Sequence, residues 1–322
     1  MDLSNVIMVV AQISGVLFVL ASMLAMGLAL TVPVILSSVS NVRLMLLAVA
    51  VNFVVVPALA YGAAELLISD DHPGLKTGLI LIGAAAGAPF LPKLVQTAHG
   101  KLALGVGLMV VLMLVTVVYL PLALPLLLPG DVEVDSWQIA KSLIFLMLLP
   151  LGIGLFIRAR YHELATKFQP VATQVSTIAI AFLMVTLLVV NFDEIIDTVG
   201  TGGILAALIV LVGAFAAGYL VGGRPAEQRS VLGLGTAQRN LSAAIVVAAQ
   251  NFADDAEVIT MVMVVGVLGL VILFAVAGEL GRRSPVAEPS SPDATEPSFP
   301  DATEPSSPDT TRATPITKEP SA

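Results

Sequence analysis

The chain has 322 residues, 57% of them hydrophobic and only 12% charged, with a mean hydropathy of +0.97. A soluble domain is nearer half apolar and a quarter charged, so one globular core cannot hide this surface and lipid must solvate much of it. There is no cysteine, which excludes disulfides, thiol catalysis and cysteine metal sites, and the net charge of −8 belongs mainly to the segment from Ser284 onward, where seven acidic residues stand against Arg312 and Lys318.

Taken in chain order, apolar runs predict about nine membrane-spanning helices, at 6–30, 43–64, 76–98, 103–128, 138–158, 169–192, 203–222, 229–251 and 257–280. Backbone groups in lipid must bond within the chain, so runs of this length are helices; a barrel would show short alternating strands. The first run follows Asp2 with no Lys or Arg before it and exceeds the apolar core of a signal peptide, so it is read as a retained helix.

Connections after the odd-numbered spans carry Arg43, Lys101, Arg158, Arg160, Lys167, Arg224, Arg229, Arg282 and Arg283. Those after the even-numbered spans carry only Lys76 and Lys141, together with acids such as Asp70, Asp71, Asp131, Glu133, Asp135, Asp254, Asp255 and Glu257. Positive charge collects on the cytoplasmic side, so this alternation predicts a multi-pass protein of the plasma (inner) membrane, N-terminus outside and C-terminus inside. Asp193, Glu194 and Asp197 read as a solvated outer loop, with weak cation binding as the alternative. Residues 1–283 form the membrane domain, and 284–322 repeat an acidic eight-residue unit rich in Pro, Ser and Thr, first seen as Ser291–Ser298. Such a composition predicts a disordered cytoplasmic tail.

Two spans break the apolar pattern. The third reads Gly83-Ala84-Ala85-Ala86-Gly87-Ala88-Pro89-Phe90-Leu91-Pro92-Lys93. Pro89 and Pro92 lack amide donors and clash with the preceding turn, which predicts a kink or unwinding near Gly87, although small residues here also suit close helix packing. The eighth reads Gly233-Leu234-Gly235-Thr236-Ala237-Gln238-Arg239-Asn240-Leu241-Ser242, which predicts a second break at Gly233 and Gly235. Arg239 lies ten residues after Arg229 and twelve before Asn251, too deep to snorkel out. A guanidinium there costs about 3 kcal/mol on insertion scales, so it requires an anion, a carbonyl cage or water. Lys93, six residues from His99, either reaches the cytoplasmic edge or joins the same site. The two broken spans run in opposite directions, as in inverted repeats whose half-helices meet at a midplane site.

Three short stretches then resemble the bile acid:sodium symporter family over about residues 15–280. Met23-Leu24-Ala25-Met26-Gly27-Leu28-Ala29-Leu30 is similar to its M-x-M-G-L-x-L helix end, and Asn52-Phe53-Val54-Val55-Val56-Pro57 to its Q-F-x-x-x-P. Gln238-Arg239-Asn240 falls where the family has a Gln-Asn crossover. The resemblance implies an all-α fold of core and panel domains with two discontinuous crossing helices, and nine-span members lacking the first helix. It also implies sodium coupling, but this chain departs there. The family's Ser/Thr-Asn pair at the first crossover is replaced by Ala88-Pro89-Phe90-Leu91-Pro92-Lys93, and its Glu by Leu234 or Gly235. Sodium wants hard oxygen ligands. Gln238, Asn240, Thr236 and Asn52 supply some, with Gln238 and Asn52 the pair for a weak site, but no carboxylate remains. The expectation is that Arg239 and Lys93 replace bound sodium and that Arg239 faces an anionic substrate.

Enzymatic readings find no support in the sequence. His72, His99 and His162 are scattered among connections, no zinc motif or P-loop exists, and Gly105-Val106-Gly107 and Gly233-Leu234-Gly235 lie inside apolar spans. No nucleotide, nucleic acid or cofactor other than sodium is implied. The expected function is secondary transport of a small organic anion by alternating access, with Arg239, Asn240, Gln238, Thr236, Lys93 and Asn52 binding substrate. A sodium-independent uniporter, a proton-coupled carrier and a membrane-bound ligand sensor are the alternatives.

Overall fold

The computed structural model describes residues 3–31, 33, 41–128, 135–190 and 200–283, and these are helical with short connections. The helices are α1 (Leu3–Ala29), α2 (Val42–Leu67), α3 (Pro73–Ala84), α4 (Leu91–Thr97), α5 (Leu102–Leu127) and α6 (Ser136–Arg160). They continue with α7 (His162–Val190), α8 (Gly203–Val221), α9 (Ala226–Ala237), α10 (Leu241–Asn251) and α11 (Ala256–Arg283). Among the described residues six helical stretches are long and apolar enough to cross a membrane: α2, α5, α6, α8, α9 with α10, and α11. The protein is therefore an all-helical, multi-pass membrane protein. The repeat region 284–322 and the acids Asp131, Glu133, Asp193, Glu194 and Asp197 lie outside the described residues.

Several basic residues that the sequence assigns to connections sit on helices. Arg158 and Arg160 occupy the last turn of α6, and Arg282 and Arg283 that of α11, where cations complement the helix dipole. Lys167 lies within α7, which begins at His162 and not at 169.

Helices α1, α6 and α7 pack on one another, and α2 to α5 pack with α8 to α11. The crossing of α1 with α6 depends on glycine: a Cβ on Gly27 would overlap the Leu151 carbonyl oxygen, and one on Gly154 would sit 2.6 Å from that of Leu24. Without a hydrophobic force between helices in lipid, such close backbone approach is what holds them together.

Two helices carry a π turn placed by proline. In α2 the turn covers Val51–Val55, with the Val56 amide donating five residues back to Val51. Pro57 follows, and the wider turn relieves the push of its ring on the Phe53 carbonyl. The turn carries the buried Asn52. In α6 the same device covers Ile144–Leu148, ahead of Pro150.

The third span is interrupted between Ala84 and Leu91. Ala85 is extended, and Gly87 is left-handed (φ +80°) with its Cα so close to α5 that a Cβ would overlap the Met113 nitrogen. Pro89 belongs to the turn that restarts the chain, whereas Pro92 lies in the first turn of α4, where a missing amide costs nothing.

The eighth span is also broken, but not at Gly233 or Gly235, contrary to the sequence-based expectation. Helix α9 continues through both to Ala237, and the chain leaves helical geometry at Gln238 (ψ 99°) to restart at Leu241. The glycines serve packing. Gly233 faces the Phe215 and Tyr219 side chains, and Gly235 lies under Leu91 and Leu108.

Candidate functional site

The two interruptions meet. The Asn240 amide nitrogen donates to the Ala85 carbonyl (2.9 Å), and the Asn240 side-chain nitrogen donates to the carbonyls of Ala86 (3.2 Å) and Gly87 (3.0 Å). Its side-chain oxygen accepts from the Ala243 amide, capping α10. On the other side of the unwound strand Thr116 of α5 accepts from the Ala86 amide (3.0 Å) and donates to the Ala86 carbonyl (2.9 Å). Unwound backbone buried away from water must be satisfied in this way.

Arg239 is 5% exposed and lies between the two broken spans. Its Nε donates to the Ile82 carbonyl (3.3 Å), and one terminal nitrogen donates to Asn52 Oδ1 (2.9 Å) and the Thr236 carbonyl (3.0 Å). The other donates to the Gly83 carbonyl (2.5 Å). Ile82 and Gly83 lie in the last turn of α3 and Thr236 in that of α9, so two helix C-termini aim carbonyls at one cation, the Ile82 oxygen accepting from the Ala85 amide as well (3.2 Å). The Asn52 side-chain nitrogen donates to the Ala48 carbonyl (2.9 Å) and the Thr236 hydroxyl (3.1 Å), which fixes the amide with its oxygen toward Arg239.

Beside the crossing is a cavity of about 300 Å³. Its lining includes Phe18 of α1 and Thr177, Ile180 and Ala181 of α7. The rest of the lining comes from Ile82, residues 88–90, residues 237–242 apart from Asn240, and helices α8 and α11. The lining is mostly apolar; its polar residues are Thr177, Gln238, Arg239 and Ser242. Ser242 is fully buried and Gln238 nearly so, and neither Ser242 Oγ nor Gln238 Oε1 has a hydrogen-bond partner among the described residues. An apolar cavity with Gln238, Arg239 and Ser242 in its lining, next to a helix N-terminus, suits a ligand with an apolar body and one polar or negative end.

Of the residues singled out from sequence, Arg239, Asn240, Gln238, Thr236 and Asn52 are brought together. Lys93 is not: it is exposed on α4. Arg239 borders the cavity, but four of its N–H bonds go to oxygens of its own chain, so it is not the open anion ligand expected from the sequence. Sequence reasoning missed Thr116, one hydroxyl in a long apolar run, where bonding back to its own helix would have been an equally good reading. It also passed over Ser242, whose position next to the cap only the fold reveals.

A family model described as Sodium Bile acid symporter family matches residues 16–198. The probable sodium/metabolite cotransporter BASS1, chloroplastic, of Arabidopsis thaliana is 23% identical over 236 residues. That match covers 72% of this chain and 58% of the plant protein, so the chain spans little more than half the length of that relative.

Proposed function

Since the chain belongs to the sodium bile acid symporter family, whose members are transporters and not enzymes, we propose that it is a secondary transporter moving a small organic anion through the cavity beside the helix crossing. One observation carries this reading: two helices, interrupted at Ala85–Phe90 and at Gln238–Asn240, bond to each other through Asn240 beside that cavity. Interrupted helices at membrane depth cost backbone hydrogen bonds and are kept where they line a solute path.

The anionic class follows from charge. The start of α10 contributes its dipole and the unpartnered Ser242 hydroxyl, and the Arg239 guanidinium adds a full positive charge on the same wall. Among the described residues no carboxylate borders the cavity to oppose them. The remaining lining selects an apolar body.

In this reading the chain crosses the inner membrane nine times as inverted repeats, with the N-terminus outside and the C-terminus inside. Helices α1, α6 and α7 form the panel, and the other helices form the core around the crossing. Because the cavity has walls from both groups, sliding the panel against the core would open it first to one side and then to the other. The test begins with a melting-temperature screen of carboxylates and sulfonates on the detergent-purified chain, since a bound ligand stabilises the folded state. The best stabiliser is then labelled and offered to proteoliposomes. Saturable uptake, kept when residues 284–322 are deleted, is expected. Binding without flux would instead make the protein a ligand sensor.

A further inference from the structure

We propose that Arg239 is a tethered cation: its guanidinium permanently fills an oxygen cage fit for a free monovalent cation, and the carrier therefore needs no sodium at this position. The family is one of sodium symporters, so whether sodium can bind at the crossing depends on this chain's own oxygens there.

The oxygens are present. Ile82 O, Gly83 O, Thr236 O and Asn52 Oδ1 surround one buried guanidinium, accepting from all three of its nitrogens. Three are backbone carbonyls at the C-terminal ends of α3 and α9, where each helix dipole is negative. Such hard, uncharged oxygens at the ends of broken helices are what an alkali or other hard cation selects. But they already hold a positive charge that cannot leave, because it is bonded to the chain. A second cation at that point would meet the guanidinium with little solvent between them. The cage and a free sodium ion are therefore mutually exclusive while Arg239 is in place.

The same geometry explains why the guanidinium tolerates burial. A charge out of water needs its hydrogen bonds made, and four of the five N–H groups make them here. Lys93, exposed on α4, takes no part. A sodium-coupled carrier must release its ion to the cytoplasm in every cycle. This site has nothing to release, so its positive charge is a fixed part of the cavity wall and the anion gradient drives transport.

The consequence for coupling rests on the carrier reading, but the cage is tested without transport. The full chain is melted in detergent in about 100 mM sodium chloride or choline chloride, and binding of radioactive sodium is measured alongside. Wild type should melt at the same temperature in both salts and bind no sodium. Arg239→Ala empties the cage; it should melt lower in choline and recover by about 3–5 °C in sodium, as ligand linkage predicts for millimolar binding. Adding Asn52→Leu, which removes a cage oxygen, should cancel that recovery. Sodium stabilisation of wild type that Asn52→Leu cancels overturns the proposal, and so does an Arg239→Ala protein indifferent to the salt. If Arg239→Ala does not accumulate, Arg239→Gln is judged by the same two salts; if neither accumulates, radioactive sodium binding to wild type decides. An anion that fails to bind or cross, with these salt effects intact, would defeat the transport reading and leave the tethered cation standing.

Discussion

Asn52 and Arg239 are 187 positions apart, yet the Asn52 amide oxygen accepts a 2.9 Å hydrogen bond from the guanidinium while its nitrogen is held by Ala48 and Thr236. This side chain ties the π turn of α2 to the broken eighth span, and through Arg239 to the end of α3. Asn52→Leu is close in volume but removes the acceptor and both donors. Leaving part of a buried guanidinium unpaired costs about 2–4 kcal/mol. Asn52→Leu should therefore lower the melting temperature by several degrees, whereas Asn52→Asp, which keeps an acceptor facing a cation, should lose less. A reversed order in thermal denaturation would show that the amide is there for shape alone.

Asn240 performs two tasks that substitution can separate. Its side-chain oxygen caps α10, and its nitrogen holds the unwound strand at Ala86 and Gly87. Asn240→Ala loses both, about 1 kcal/mol for the cap and about 1 kcal/mol for each of the other bonds. Asn240→Asp keeps the cap but turns a second oxygen toward two carbonyls. If holding the crossing matters more than capping the helix, Asn240→Asp should be as unstable as Asn240→Ala when the two are melted side by side.

How far the crossing was legible from sequence is clear in these same residues. Gly87 and Pro89 inside an apolar run announced one break, and the two glycines and five polar residues of 233–242 announced the other, because such residues conflict with a plain apolar helix in lipid. The partner set was not legible. Three of the four groups that hold Arg239 are backbone carbonyls, which every residue carries, and the fourth is in another span. The break assigned to Gly233 and Gly235 failed for a related reason: glycine marks a bend and a close contact with the same letter, and here Phe215, Tyr219, Leu91 and Leu108 needed the space. Lys93 was ambiguous because a lysine near a helix end can reach either way.

Gly87 permits a direct test of the break. Its backbone is left-handed, and a methyl group at its Cα would overlap the Met113 backbone, so there is no room for a side chain. Gly87→Ala should cost about 3 kcal/mol or more, from strain and displaced backbone together. It is expected to reach the membrane at well below the wild-type level and to elute early in size-exclusion chromatography. A Gly87→Ala protein as stable as wild type would show that the interruption is not held as described.

At the far end of α3, Lys76 is buried and bonded to the exposed carboxylate of Asp70, with Glu65 at 3.6 Å. The hydrogen bond from Lys76, and then its charge, hold the Asp70 carboxyl below the usual aspartate range. A depressed carboxylate stabilises the fold above its unfolded pKa, about 3.9, and that contribution is lost as pH falls through the lower folded value. Asp70→Asn should therefore melt below wild type at pH 7, with the gap unchanged down to about pH 5 and closing in stronger acid. A gap that persists below about pH 3 would mean that shape, not charge, sets the contact.

Ser242 separates binding from stability. Ser242 borders the cavity and its buried hydroxyl has no partner among the described residues, so Ser242→Ala removes a desolvated polar group and should leave the melting temperature unchanged or slightly raised. If that hydroxyl serves the transported anion, the same change should weaken it by one hydrogen bond to a charged group, about 1.5–2 kcal/mol, or roughly 10–30-fold. Titrating the best stabiliser from the screen against both proteins reads the two effects separately. Equal affinities would remove Ser242 from the substrate path, and the anionic end would then have to lie elsewhere along the cavity wall.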